Sequence, residues 1–144
     1  MDLAADNLIW QTDTMKLSAM ILLVLSGSAL ADSPLTGEKF EAETFGKTIT
    51  FSDSLGPFGA EQYLNNRRVF WSNLDGDCIS GHWYPSGSEI CFAYESELEP
   101  QCWEFFRGSQ GLWAEYKNDD AGFRLWESAR NDKPLYCKGP EVGS

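Results

Sequence analysis

His82 is the only histidine in the chain, so it is the only residue suited to ordinary imidazole acid–base chemistry. It lies in a segment whose polar and apolar residues alternate, and this pattern predicts a β-strand. In the predicted sheet Glu95 and Glu104 fall near the same face, and a carboxylate beside a histidine can serve with it as a general base. We name His82, Glu95 and Glu104 as catalytic candidates for a hydrolase-type enzyme. A solvated histidine on a surface strand is the commoner arrangement, so catalysis is not the favoured hypothesis.

The four cysteines, Cys78, Cys91, Cys102 and Cys137, could bind a metal or form two disulfides. Structural zinc sites usually contain a C-x2-4-C pair, and no two cysteines here are that close in sequence. We therefore predict no metal site, and no other cofactor is indicated. Two disulfides fit a chain exported to an oxidising compartment. Four cysteines allow three pairings, so a further argument is needed to choose one.

The predicted hairpins select one of those pairings. If Trp83 faces Ile90 in the hairpin that begins at Cys78, then Cys78 and Cys91 lie too far apart along the strands for disulfide geometry. In the next hairpin Cys91 and Cys102 share a face as diagonal neighbours. The predicted disulfides are Cys91–Cys102 and Cys78–Cys137.

These residues belong to a series of short predicted strands. About eight alternating segments recur at spacings of about 10 to 15 residues, with turns rich in Gly, Asn and Asp between them. The pattern predicts an all-β fold, a small antiparallel meander closed into a barrel or folded into a sandwich. One short helix is predicted over 36–45, with Thr36 as its N-cap and with Phe40 and Phe45 facing inward.

Four aromatic residues fall on strand faces that point away from the predicted core. They are Phe70, Phe106, Trp113 and Trp126. If they are exposed together, they form an apolar patch able to bind a ligand or a partner, and we name them as ligand-binding candidates. The alternative is that the N-terminal segment packs over them and makes them a second layer of core.

The charge of the chain excludes some partners. Residues 32–144 carry 10 basic and 19 acidic side chains, a net charge of −9. A surface of this sign repels a phosphate backbone, so a nucleic-acid partner is excluded, and an anionic membrane surface is disfavoured.

The N-terminal region predicts export. Lys16 precedes an apolar run from Ala19 to Leu25, and the triplet Ala29-Leu-Ala31 fits a signal-peptide cleavage site. The uncharged run over 17–31 is shorter than the roughly 18 residues needed to span a bilayer, so we expect no membrane span in the mature chain. The first 14 residues hold three aspartates and no basic residue, which does not suit a signal peptide. We predict an upstream extension over 1–14 with the true start at Met15, a signal peptide over 15–31, and a single domain over 32–144.

Three short motifs resemble a group of small periplasmic or secreted β-domain proteins of Gram-negative bacteria. The motifs are Gly81-His-Trp83, Ile90-Cys-Phe92 and Cys102-Trp103-Glu-Phe105, and the resemblance covers about residues 68 to 117. It implies a signal peptide, a β-rich domain and structural disulfides. The group is a domain family of unknown function, so the resemblance implies no activity.

Taken together, the sequence favours an exported periplasmic or secreted module that binds a ligand or serves a structural role without catalysis. The ligand would be a small apolar molecule and the protein a monomer. One alternative is an inhibitor or interaction protein of the cell envelope, acting through the acidic loop 95–99. The other is the hydrolase-type enzyme built on His82.

Overall fold

A computed structural model describes residues 32–138 and contains eight β-strands and one α-helix. The strands are β1 Thr48–Asp53, β2 Gly56–Tyr63, β3 Arg68–Ser72, β4 Cys78–Ser86, β5 Glu89–Tyr94, β6 Gln101–Gly108, β7 Gly111–Tyr116 and β8 Arg124–Asn131. The helix, α1, spans Gly37–Thr44 and precedes the first strand. The predicted extension over 1–14 and the signal peptide over 15–31 lie outside the described residues.

The strands form a closed antiparallel barrel. Each strand pairs with its neighbour in sequence, and β8 returns to pair with β1. The predicted all-β meander is therefore confirmed, and of its two forms the barrel is the one observed. Within residues 32–138, no helix has the length and apolar character needed to cross a membrane.

Successive side chains of each strand point alternately into and out of the barrel. The inward positions of the alternating strands, among them Ile49, Phe92, Phe105 and Leu112, are buried. The β4–β5 hairpin register differs from the predicted one by two residues. Trp83 pairs with Phe92 rather than Ile90, because β4 continues to Ser86 before the chain turns. A shift of two residues keeps every side chain on its predicted face, so the predicted core was unaffected.

Both predicted disulfides are present. Cys91 and Cys102 lie directly opposite each other on β5 and β6, where the sequence predicts diagonal neighbours. The second disulfide joins Cys78, at the start of β4, to Cys137, and their Cα atoms are 5.4 Å apart. The Lys138 N–H also donates to the Gly76 carbonyl oxygen. The segment after β8 is thus held against the loop between β3 and β4.

Helix α1 closes one end of the barrel. The Thr36 hydroxyl caps it as predicted, accepting a hydrogen bond from the Lys39 N–H at 3.3 Å. Phe40 is fully buried, with its ring centroid 5.0 Å from that of Trp83 and 4.6 Å from that of Phe105. Phe45, also predicted to face inward, is 58% exposed. That prediction is wrong because the helix ends at Thr44 and the backbone of Phe45, with φ −53° and ψ 128°, is no longer helical.

An ion pair on the barrel wall anchors the helix. The Arg130 guanidinium donates to the Glu43 carbonyl oxygen at 2.8 Å and to the Glu127 carboxylate. Glu127 also accepts a hydrogen bond from the Leu112 N–H at 2.8 Å. Burial opposes ionisation of Glu127, but these hydrogen bonds outweigh it and hold the pKa of its carboxyl below the usual value. The closed end is therefore fixed by polar contacts as well as by Phe40.

Candidate functional site

Between helix α1 and the opposite, open end, the barrel encloses a cavity of about 170 Å³. All eight strands contribute to its wall. Most of the wall is aromatic, and the aromatic groups other than tyrosine come from Phe51, Phe58, Trp71, Phe92, Trp103 and Phe105. The barrel interior is filled at the end that holds Phe40 and hollow beyond it.

Two glycines make room for large rings at the cavity. A Cβ on Gly81 would lie 2.8 Å from the Tyr94 ring and 2.7 Å from the Ala93 carbonyl oxygen. A Cβ on Gly59 would lie 2.1 Å from the Trp71 ring. Trp71 and Tyr94 can therefore lie close against the backbone of the neighbouring strand, and space remains at the centre of the barrel.

The cavity contains a buried carboxyl group. Glu61 points inward from β2 between Gly59 and Tyr63 and is only 2% exposed. The Tyr94 hydroxyl donates to its two oxygens, at 3.1 Å to Oε1 and 3.0 Å to Oε2. Within residues 32–138 no basic side chain forms an ion pair with Glu61. Burial raises the pKa of Glu61 well above its usual value, and the hydrogen bond from Tyr94 offsets this only in part.

Two tyrosines share the interior with Glu61. Burial raises the pKa of Tyr94 well above its ordinary value, and the nearby Glu61 carboxyl raises it further. Burial and the Glu61 carboxyl likewise raise the pKa of Tyr63. Both phenols therefore stay protonated at neutral pH. Tyr94 is consequently a permanent hydrogen-bond donor to Glu61.

Phe58 stands at the mouth of the cavity. Its ring centroid is 6.0 Å from that of Trp71 and 5.4 Å from that of Phe123, and the side chain is 41% exposed. Polar groups of Asn73 and Glu97 also reach the cavity at this end. The mouth thus joins one aromatic side chain to a polar rim.

The rim carries a high density of negative charge. Four connections meet at the open end, and each begins or continues with acidic residues. These residues are Asp53, Asp75, Asp77, Glu95, Glu97, Glu99, Asp119 and Asp120. Three basic side chains lie at the same end: Lys117 and Arg124 are both paired with Glu115, and Lys138 lies against Gly76. The acidic residues outnumber them. The potential at the mouth is therefore negative.

The catalytic candidates do not come together. His82 is exposed on the outer face of β4, with its ring 6.2 Å from that of Tyr84. Glu104 accepts a hydrogen bond from Ser88 at 2.7 Å, and Glu95 lies in the exposed loop after β5. In the part of the chain that the structure describes, neither carboxylate hydrogen-bonds or ion-pairs with His82. The concave histidine–carboxylate site that the enzyme hypothesis requires is not formed by these residues.

Three of the four aromatic ligand candidates meet on the outer wall. Phe106 and Trp113 stack with ring centroids 4.1 Å apart, and Trp126 pairs with Trp113 across β7 and β8. Trp126 is 47% exposed. Phe70 lies on β3, four strands away from β7. Ligand binding at these four residues stays a prediction, and none of them lines the cavity.

One group of possible metal ligands occurs within residues 32–138. Glu89, Cys91 and Cys102 place their ligand atoms within 4.8 Å of one another. The two sulfur atoms are bonded to each other, so neither is a free thiolate able to bind a metal. This group therefore offers no competent site.

Sequence reasoning missed the buried carboxyl. Gly56, Pro57 and Gly59 are typical of a loop, so the local sequence favours a strand that begins only at Glu61. The strand in fact begins at Gly56. The alternation Gly59, Glu61, Tyr63 along this longer strand places an acidic residue on the same face as a core aromatic. That conflict is the signal in the sequence that could have identified Glu61.

Comparison of the chain with protein-family models, with curated proteins and with solved structures finds no match. The resemblance to periplasmic β-domain proteins therefore stays a prediction.

Proposed function

We propose that this protein is an exported binding module that takes a small ligand into the cavity of its barrel. The observation that carries the proposal is the hollow, mainly aromatic interior between Phe40 and the open end. Small-molecule sites are typically concave, mostly apolar and equipped with a few convergent polar groups. Glu61 and Tyr94 are such groups.

The volume of the cavity bounds the ligand. Cavities for drug-sized molecules are about 300 to 1,000 Å³, and an apolar cavity of about 150 Å³ admits benzene. A cavity of about 170 Å³ therefore suits a molecule with a single ring or an equivalent short chain. This agrees with the small apolar ligand expected from the sequence.

The two disulfides support placement outside the cytoplasm. Disulfides persist in the periplasm and in secreted proteins and are rare where thiols are kept reduced. Cys78–Cys137 and Cys91–Cys102 account for all four cysteines of the chain. We propose that the predicted signal peptide directs the protein to the periplasm or the exterior.

The test is native mass spectrometry of the protein purified from its own envelope, together with an Ala114→Leu variant. Ala114 lines the cavity and is 1% exposed, so a leucine there would reduce the free volume. We expect a retained small molecule on the wild type and its loss from the variant. Ala129→Leu, on the exposed outer face of β8, is the matched control and should retain the molecule.

Thermal unfolding supplies a second measurement. A ligand that binds only the native state raises the unfolding temperature, and the stabilisation grows with the logarithm of its concentration over its dissociation constant. Benzyl alcohol or toluene should stabilise the wild type and Ala129→Leu but not Ala114→Leu. A wild type that retains no molecule and is stabilised by no single-ring compound would refute interior binding.

A second candidate function has one observation in its favour. The loop 95–99 is exposed along its whole length, and Leu98 at its tip is fully exposed between Glu97 and Glu99. An apolar tip flanked by acids suits contact with a basic partner protein, as the envelope-inhibitor hypothesis requires. Pulldown from envelope extract with wild type and with Leu98→Ser would test it, since the hypothesis requires the captured partner to be lost in the variant.

A further inference from the structure

The cavity has an unusual balance of charge. Among the described residues that line it, Glu61 and Glu97 are acidic, and none is Lys, Arg or His. Arg and Lys are common partners for carboxylates and phosphates in binding sites. In this cavity an anion would lie beside the Glu61 carboxyl group, with no basic side chain to compensate its charge. Anionic ligands such as fatty acids are therefore disfavoured.

Resting on the proposed function, we propose that the ligand is a small organic cation, a protonated amine attached to a flat apolar group. Its ammonium group would meet Glu61, and the apolar group would fill the aromatic part of the cavity.

The hydrogen bonding of Glu61 supports this assignment. An ionised carboxylate offers about four acceptor sites on its two oxygens. Its only hydrogen-bond donor among the described side chains is the Tyr94 hydroxyl, which is shared between the two oxygens. An ammonium group brings two or three N–H donors and a positive charge in one atom. It therefore supplies the additional hydrogen-bond donors and the compensating charge that the buried Glu61 carboxyl lacks.

The aromatic wall favours the same ligand. The face of an aromatic ring attracts a cation held within about 6 Å, and the attraction increases when water is excluded. Trp71 and Trp103 line the cavity, as does Tyr94, and tryptophan is the ring that attracts a cation most strongly. A carboxylate surrounded by aromatic rings is a common chemical solution for binding amines.

The acidic residues at the rim act on a charged ligand before it enters the cavity. Their eight carboxylates raise the local concentration of cations and lower that of anions, an effect that salt screens over about 10 Å at 0.1 M. Association of an amine should therefore slow as salt is added. The interior and the rim thus select for the same sign of charge.

Binding of a cation also involves a proton. In the empty cavity Glu61 faces Tyr94 and Tyr63, with Glu97 at the mouth, and burial favours its protonated form. Since Tyr94 and Tyr63 stay neutral, Glu61 is the interior group that must release a proton when an ammonium ion binds. Below the raised pKa of Glu61, affinity for an amine should increase about tenfold per pH unit.

The experiment uses four probes of one shape and different charge: benzylamine, benzyl alcohol, benzoate and toluene. Their binding to the oxidised protein is measured by isothermal titration calorimetry in two buffers of different ionisation enthalpy. We expect benzylamine to bind at least about tenfold more tightly than benzyl alcohol, consistent with a charged hydrogen bond, and benzoate to bind most weakly. Benzylamine binding should release about one proton where Glu61 starts protonated.

Glu61→Gln is the decisive variant because the amide keeps the shape of the side chain and an acceptor for Tyr94. The variant should bind benzylamine at least about tenfold more weakly than the wild type, and its affinity for benzyl alcohol should stay within about twofold of the wild-type value. Proton release on benzylamine binding should be abolished. Glu38→Gln, on the exposed face of α1, makes the same change in net charge and should behave as wild type.

The outcomes separate the two proposals. If benzyl alcohol or toluene binds as tightly as benzylamine, the cavity binds ligands but the cation inference is wrong. The same conclusion follows if Glu61→Gln leaves benzylamine binding unchanged. If none of the four probes binds at millimolar concentration, both the cation inference and interior binding are overturned.

Discussion

Replacing Glu61 by glutamine should stabilise the domain at neutral pH and flatten its pH dependence. In the folded protein the carboxyl has a pKa well above the 4.5 expected in an unfolded chain. Between these two pKa values the native state holds a proton that the unfolded state has released. The free energy of unfolding therefore falls as the pH rises through this interval, and stability is greatest below about pH 4.5 as far as this group is concerned. Glutamine does not titrate, so the variant lacks this term.

The size of the effect follows from the number of protons. One proton contributes about 1.4 kcal/mol per pH unit over the interval. Because Glu61 is only 2% exposed, solvent screening reduces this little. The variant should therefore gain up to about 1.4 kcal/mol on the wild type with each pH unit above 4.5, until the pH reaches the raised pKa of Glu61.

Urea unfolding followed by tryptophan fluorescence, at half-unit steps from pH 4 to pH 8, would measure the difference. Subtracting the two curves cancels the contributions of Glu127 and Glu115, whose pKa values are lowered and which stabilise the fold in the opposite pH direction. Glu38→Gln is again the control for net charge and should give a flat difference. A flat difference for Glu61→Gln, or one that favours the wild type as the pH rises, would show that Glu61 is not a buried neutral acid.

Three further changes test the frame of the barrel by the same unfolding assay. Phe40→Ala should lower the free energy of unfolding by about 3 to 5 kcal/mol, since it empties the closed end, whereas exposed Phe45→Ala should change it by less than about 0.5 kcal/mol. Gly81→Ala should cost about 1 to 3 kcal/mol, because its methyl group collides with the next strand; an unchanged midpoint would contradict the close approach. Removing Cys78–Cys137 as an alanine pair should cost about 4 kcal/mol, and no loss would mean that the tail is held by other contacts.

Much of the fold could be predicted because the relevant signals were local. Alternation of polar and apolar residues placed Phe92, Phe105 and Leu112 on one face, and that face became the interior. The disulfide pairing was also predicted, even though the hairpin register was two residues out. The observed register places Cys91 opposite Tyr84, which is further from Cys78 than in the predicted register, so a Cys78–Cys91 bond is excluded in both registers.

The binding site could not be predicted because it exists only once the barrel has closed. Whether Trp71, Tyr94 and Glu61 surround a common space is decided only when eight strands complete a ring, and no local pattern carries that information. The sequence also drew attention to His82, a rare and chemically versatile residue, which lies exposed on the outer wall. Glu61 was one of 22 acidic residues and looked like any other until its neighbours were assembled around it.

The pairing of β1 with β8 has a consequence for the timing of folding. The first strand has no partner on one side until the last strand has been made, so the ring is completed by the contact most distant in sequence. Folds that depend on distant contacts form slowly, because a long loop must be ordered before the contact is gained. While the chain is being synthesised it therefore cannot reach a finished barrel before Asn131 is available. On the proposed export route, this delay keeps the chain unfolded, and therefore able to be translocated, until it reaches the compartment where its disulfides can form.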